Sequence, residues 1–106
     1  MKIDSLEKFT RGWIIGDFEP SVLRTTDFEV GILHHNKGEY IAPHRHDIAT
    51  EYNVLVSGHM LVNGKDIRPG DVFILSPTEV VSPTVLEESI VVVVKTPSIP
   101  NDKHII

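Results

Sequence analysis

The sequence contains no cysteine among its 106 residues. A disulfide framework and a thiolate metal site are therefore both excluded, and any bound metal must use imidazole and oxygen ligands. Lysine and arginine are also few: they number 10 against 15 aspartate and glutamate residues, and they are scattered along the chain. This balance argues against a surface that follows nucleic acid phosphates and against an electrostatic membrane anchor.

Long hydrophobic runs are absent as well. The longest, "IVVVV" at residues 90–94, has the length of a strand, and the first ten residues lack the apolar core of a signal peptide. We therefore expect a cytoplasmic protein with neither a membrane nor a nucleic acid as its partner. The length predicts one domain, residues 1–106, with one modest core.

The sequence does contain seven glycines and seven prolines at short intervals, and the segments between them are rich in Val, Ile and Thr. This pattern is typical of an all-β sandwich or barrel. The Asn63-Gly64 pair predicts a tight hairpin turn. Two prolines in the last residues predict a tail that leaves the sheet and lies over its surface. The expected strands are 12–15, 21–25, 27–35, 40–46, 51–57, 59–62, 66–67, 71–76, 80–85 and 89–95.

Two histidines and a glutamate form the most informative pattern, "HRHDIATE" at residues 44–51. Side chains alternate along a strand, so His44 and His46 point to one face, roughly 6–7 Å apart. Glu51 opens the next strand and can return toward both imidazoles. Two imidazoles and one carboxylate on one side of a cation leave coordination positions open and suit Fe(II), Mn(II), Ni(II) or Zn(II). The alternative is a pair of surface histidines beside an unrelated glutamate.

The spacing of these residues resembles the first motif of the cupin superfamily, which has glycines at positions equivalent to Gly38 and Gly58. The resemblance covers roughly residues 26–96, which are the expected barrel core. It implies a small antiparallel jelly-roll β-barrel, here with a short N-terminal extension. It also implies a divalent transition metal inside the barrel mouth, held by His44, His46 and Glu51.

The second cupin motif is only partly present in "PGDVFILSPTEVVSP" at residues 69–83. Ser82 occupies the place where the family usually has its fourth metal ligand, a histidine. Three interpretations stay open: water completes the coordination, His59 or His34 replaces the missing ligand, or the pocket binds a ligand with little or no metal.

Two other side chains are expected on the same face as the candidate ligands. Tyr40 shares the parity of His44, so its hydroxyl is a candidate to donate a hydrogen bond or a proton to a bound molecule. The alternative for Tyr40 is a packed aromatic at the rim. Asn53 shares the face of Glu51 and is expected to support its carboxylate.

We therefore expect a metal-binding cupin that binds a small polar molecule in the barrel and acts, if it is an enzyme, in the manner of a dioxygenase or isomerase. A fold alone cannot choose between these reactions. One alternative is a non-catalytic ligand-binding or sensor cupin. Another is a metal-free acid–base cupin acting on a sugar nucleotide, in which His44, His46 and Tyr40 move protons; it rests on a weak likeness of "RGWIIGDF" and "VKTPSIPNDK" to RmlC-like cupins.

The segment Ile90–Val94 is hydrophobic on both faces, whereas a strand covered on one side only should alternate. We expect one face to meet the core and the other to meet a partner subunit or the N-terminal segment. The sequence thus favours a homodimer.

Overall fold

The computed structural model describes all 106 residues and consists almost entirely of strands. Two short 3-10 turns, Leu6–Lys8 and Thr10–Gly12, precede the first strand. No helix is long and apolar enough to span a bilayer. The strands are β1 Trp13–Gly16, β2 Leu23–Arg24, β3 Glu29–His35, β4 His44–His46, β5 Thr50–Val62, β6 Lys65–Ile67, β7 Val72–Leu75, β8 Pro83–Thr96 and β9 Lys103–Ile105.

These strands form two sheets. The main sheet has the order β2-β1-β3-β8-β5-β6, and β7 also pairs with β5. The second sheet contains only β4 and β9. All pairs are antiparallel except β1 with β2, and the sheets do not close into a continuous hydrogen-bonded barrel. The all-β jelly-roll prediction is confirmed, with open sheets in place of a closed barrel.

The strands β5 and β8 are each longer than the sequence predicts. The expected strands 51–57 and 59–62 are one strand, because Gly58 forms an irregularity within β5 and does not end it. Gly58 has φ 96°, and a Cβ there would lie 2.3 Å from the hydroxyl oxygen of the buried Ser89 on β8. A residue without a side chain lets the two long strands stay in close contact across the bulge.

Two predictions at the edge of the fold are wrong. The expected strand 40–46 begins only at His44, so Tyr40 lies outside regular structure. The tail returns to the fold: β9 pairs with β4, with His44 opposite Ile105 and His46 opposite Lys103. The hairpin at Asn63-Gly64 is confirmed, with φ 52° and 77° at the two residues and Val62 opposite Lys65.

The register of the main sheet places the core and the site on its inner face. Leu33, Val91 and Leu55 lie opposite one another in one row across β3, β8 and β5. They belong to, or pack against, the buried core cluster. Four residues further along the same strands, Glu29, Lys95 and Glu51 form another row. Because side chains alternate with a period of two, both rows point to the same face.

Candidate functional site

A cavity of about 1230 Å³ lies between the inner face of the main sheet and the second sheet. Its wall includes both histidines of β4, the polar row of the main sheet, and tail residues before and within β9. The cavity is thus built by segments that are far apart in sequence, the N-terminal turns among them.

His44 and His46 both point into this cavity, as alternation along the strand predicts. Their side chains are buried, and their rings meet edge to face with centroids 5.7 Å apart. Strand β9 pairs with one edge of β4, and Val81 bridges to His44 on the other. The backbone of the two histidines is therefore held from both sides.

Hydrogen bonds define the proton positions on the two rings. The Ala42 carbonyl accepts a hydrogen bond from Nδ1 of His44 at 2.8 Å, so Nδ1 carries the proton and Nε2 keeps a lone pair. For His46, Nδ1 lies 3.3 Å from the Glu51 carboxylate and Nε2 lies 3.4 Å from the Lys95 ammonium. Because an ammonium group only donates, Nε2 of His46 is the acceptor and Nδ1 carries the proton.

Burial keeps both imidazoles neutral. It lowers the pKa of His46 to about 4, with a further contribution from the positive charge of Lys95. Burial also lowers the pKa of His44, and it raises the pKa of the Glu51 carboxyl. Each shift has the sign expected when a charged form is taken out of water.

Lys95 is the site residue that the sequence analysis missed. Its ammonium lies 2.7 Å from the carboxylate of Glu29 and 4.8 Å from the centroid of the Trp13 ring, close enough for a cation–π interaction. The hydroxyl of Ser98 donates to the other Glu29 oxygen at 2.7 Å. The parity of Lys95 with the buried Val91 and Val93 was a signal in the sequence that this lysine faces inward.

Asn53 places a buried amide in the cavity wall. Its side chain is 4% exposed and shares the inner face with Glu51, as expected. Its Nδ2 is the only buried side-chain nitrogen or oxygen in the chain that has no hydrogen-bond partner. The amide still faces the Glu51 carboxylate at longer range, and it acts against the burial that raises the pKa of that carboxyl, as expected for a supporting side chain. An acceptor on a bound molecule would compete with Glu51 for this donor.

Asp102, in the tail, fixes the loop between the histidines and Glu51. Its buried carboxylate accepts hydrogen bonds from the backbone N–H groups of three successive residues, at 2.9 to 3.3 Å. These residues are Asp47, Ile48 and Ala49. No spacing pattern in the sequence indicates this contact, because it joins positions more than 50 residues apart.

The side chains as placed do not fit a metal ion. No group of three His, Asp or Glu residues is arranged to hold one. Glu51 is engaged with Nδ1 of His46, on a different edge of the ring from Nε2, so it cannot share a cation with that Nε2. The ammonium of Lys95 lies beside the nitrogen that would coordinate. The structure thus brings His44, His46 and Glu51 together around a lysine.

The proposed fourth ligands lie elsewhere. His59 contacts Asp66, and His34 is half exposed and pairs with Glu88 at 2.9 Å. Ser82 is exposed, and its N–H donates to the Asn63 side chain at 2.7 Å. The buried residue that faces the cavity beside His44 is Val81. An apolar side chain therefore lies beside His44 where a further ligand was sought.

Tyr40 does not join the buried row. It is 82% exposed at the rim of the cavity, because residues 40–43 are not a strand and parity with His44 does not apply. Tyr40 thus lies at the rim, as the alternative expected, but its side chain is exposed and not packed.

No family model matches the chain, and no curated protein matches it. Several solved structures do match the chain. An uncharacterized conserved protein with a double-stranded β-helix domain from Klebsiella pneumoniae is 25% identical, with a TM-score of 0.71, over 98% of this chain and 90% of that one. A sugar phosphate isomerase from a cupin superfamily, from Silicibacter pomeroyi, is 18% identical, with a TM-score of 0.55, over 66% of this chain and 50% of that one.

A third similar structure is the bacterial pirin of Escherichia coli in complex with nickel(II). It is 17% identical, with a TM-score of 0.67, over 83% of this chain and 39% of that one. What these proteins share with this chain is architecture, and a fold of this kind hosts unrelated functions. The chain has the double-stranded β-helix fold of the cupin superfamily, as its first motif predicts.

Proposed function

We propose that the protein binds a small polar molecule in the cavity, against His44, His46 and Asn53, and that it does so without a metal. The observation that carries the proposal is the cavity wall, which brings two buried imidazoles together with the buried amide of Asn53, a donor that makes no close hydrogen bond within the chain. Cavities with few, fixed polar groups among apolar side chains are the usual form of ligand sites.

The histidines give this site a capacity for acid–base chemistry. His44 is held through Nδ1, so its Nε2 lone pair is available to accept a proton from a bound molecule. His46 lies between Lys95 and Glu51, 3.4 Å and 3.3 Å from their charged groups, so both can influence its protonation. This arrangement supports the metal-free acid–base alternative, whereas a sugar nucleotide as its substrate stays a prediction from the sequence.

Binding is tested by NMR on protein treated with a chelator. A panel of small neutral, anionic and cationic polar molecules is added, and the ring signals of His44 and His46 and the side-chain amide of Asn53 are followed. We expect at least one compound to shift all three, while the ring of His59, outside the cavity, stays unchanged. Shifts that require added metal, or none at all, contradict the proposal.

A second candidate function is metal binding by His44, His46 and Glu51. The observation in its favour is that Nδ1 of His44 donates to a carbonyl and Nδ1 of His46 faces a carboxylate, which is how metal-bound histidines are commonly oriented. It requires Lys95 to move away and Glu51 to release His46. The candidate metals are Fe, Mn, Ni and Zn, since the donors are imidazole and carboxylate.

Metal analysis of protein purified without a histidine tag separates the two functions. We expect substoichiometric metal in the native protein and more in Lys95→Met, because that substitution removes a competing cation. Stoichiometric metal in the native protein that is lost in folded His44→Ala and Glu51→Ala variants would instead establish the second function.

We also propose a homodimer through the outer face of the main sheet. Alternate residues of β5 and β7 on this face are exposed and apolar: Tyr52 (43% exposed), Val56 (52%), Val72 (67%) and Ile74 (55%). The adjacent Val92 and Val94 of β8 are only half-buried. A contiguous apolar face without charge resembles the centre of a subunit interface, and a second copy presents the same face.

The dimer is tested by light scattering during size-exclusion chromatography. We expect a dimer for the native chain and a monomer for Val72→Lys. The matched control is Ile105→Lys, which changes an equally exposed residue on β9. A native monomer at all protein concentrations would contradict the proposal.

A further inference from the structure

The loop 76–82, which connects β7 to β8, holds one edge of β4. The N–H of Val81 donates to the His44 carbonyl at 2.8 Å, and the N–H of His44 donates to the Val81 carbonyl at 3.1 Å. The N–H of Thr78 donates to the His46 carbonyl at 2.7 Å. Because β4 has only three residues, its position in the cavity wall depends on this loop on one edge and on β9 on the other.

The end of this loop is held by Asn63, which belongs to the hairpin turn between β5 and β6. The side-chain amide of Asn63 donates to the Val80 carbonyl at 3.0 Å, and its side-chain oxygen accepts the N–H of Ser82 at 2.7 Å. The backbone N–H of Asn63 donates to the Ser82 carbonyl at 3.1 Å. Asn63 thus binds the loop on both sides of Val81, the residue that contacts the backbone of His44.

Asparagine combines two properties that this position uses. The backbone of Asn63 has φ 52°, in the left-handed region that asparagine and glycine adopt more readily than most residues. Its side chain donates and accepts hydrogen bonds at once, whereas an ionised aspartate only accepts and a glycine has no side chain. The turn and the contact to the loop can therefore be separated by substitution.

The ring of His44 follows its own backbone. Nδ1 of this ring donates to the carbonyl of Ala42, only two residues away, so the hydrogen bond of the ring is local. A displacement of the backbone at His44 therefore moves the ring and its Nε2 within the cavity. Val81 lies against this backbone, is 5% exposed, and forms part of the same cavity wall.

We infer that Asn63 is a positioning residue for His44: it holds Val80 and Ser82, and Val81 between them holds the backbone that carries the His44 ring. The inference rests on the proposed function, in which Nε2 of His44 meets the bound molecule. Asn63 itself lies outside the cavity wall, so it acts on the site through the loop 76–82 and does not touch the ligand.

The test compares backbone hydrogen exchange in the native chain and in Asn63→Gly by NMR, without a ligand. Glycine keeps the positive φ of the turn and removes the side chain. The N–H groups of His44 and Val81 report opening of the loop, and the N–H of Val91, in β8, reports opening of the whole sheet. We expect exchange at His44 and Val81, relative to Val91, to become about tenfold faster, and the His44 ring signals to shift.

Two further variants test the chemistry of the contact. Asn63→Asp keeps an acceptor for the N–H of Ser82 but places an oxygen against the Val80 carbonyl, so it should also accelerate exchange at His44. Asp71→Gly is the matched control, because it removes a turn side chain that accepts the N–H of Arg68 at 2.8 Å. This control should leave the exchange ratio of His44 to Val91 unchanged.

Three results would overturn the inference. Equal acceleration at His44 and Val91 would mean that Asn63 stabilises the whole fold and does not position one residue. Faster exchange with unmoved His44 ring signals would mean that the loop opens without displacing the ring. An equal rise of the exchange ratio in Asp71→Gly would mean that any loosened turn has this effect. Since no ligand is present, each of these results leaves the proposed binding function in place.

Discussion

The two ends of one sheet face differ in what they contribute to this protein. On the inner face of β3, β8 and β5, the row of Leu33, Val91 and Leu55 is apolar and packed. Four residues away, the row of Glu29, Lys95 and Glu51 is charged and lies in the cavity wall. The same strands thus build a core at one end and a site at the other. We expect the apolar end to provide most of the stability of the fold. We expect the charged end to lower that stability and to bind the ligand.

The largest effect is expected at the apolar end. Leu55 is fully buried, so Leu55→Ala should lower the free energy of unfolding by about 3–5 kcal/mol through lost burial and a residual cavity. Urea unfolding measures the change. Val22→Ala, at a residue that is 53% exposed, serves as the control and should alter stability little. A similar loss in both variants would remove the distinction between core and surface.

The charged end of the sheet face is expected to depend on Asp102, the tail residue that holds the loop 47–49. Asp102→Ala leaves three N–H groups of the loop 47–49 without their acceptor, which should cost about 3 kcal/mol. Asp102→Asn keeps one acceptor oxygen and should recover part of the loss. The measurement is urea unfolding together with the His44 and His46 ring signals, which should shift in Asp102→Ala. An unaffected pair of rings would mean that the tail does not position the site.

Acidification should lower the free energy of unfolding through the buried His46. The unfolded chain binds a proton at His46 below about pH 6.5, whereas the folded chain does so only near pH 4. Stability should therefore fall as the pH decreases across this window. Glu51, with its raised pKa, opposes the trend, because the folded state then binds the extra proton. We expect a net loss of about 2 kcal/mol between neutral pH and pH 4.

The pH effect is measured by urea unfolding at several pH values, and two histidine variants assign it. His46→Gln should flatten the dependence, while His34→Gln, at a half-exposed residue, should preserve it. If both variants keep the full dependence on pH, the effect does not originate at His46.

The smallest expected effect is an increase in stability, at Asn53. Asn53→Leu replaces an unpaired buried amide with an apolar group of similar size, so stability should rise by about 1 kcal/mol while ligand binding is lost. Asn63→Leu is the matched control: the Asn63 amide makes hydrogen bonds to Val80 and Ser82, so its loss should destabilise. A destabilised Asn53→Leu variant would indicate that this amide has a structural partner.

Some predictions from the sequence remain to be tested. The cytoplasmic location and the identity of any metal stay predictions. The homodimer has a physical rationale in the apolar outer face and awaits a measurement in solution.

The sequence by itself determined the fold class, the hairpin at Asn63-Gly64 and the common face of His44 and His46 near Glu51, because alternation, turn chemistry and motif spacing are local properties. Only the tertiary structure decided what surrounds those residues. Lys95 beside His46, and Asp102 beneath the loop, depend on strand register and on pairing between distant segments. Local patterns do not encode such pairing, since it follows from how the whole sheet buries its apolar face.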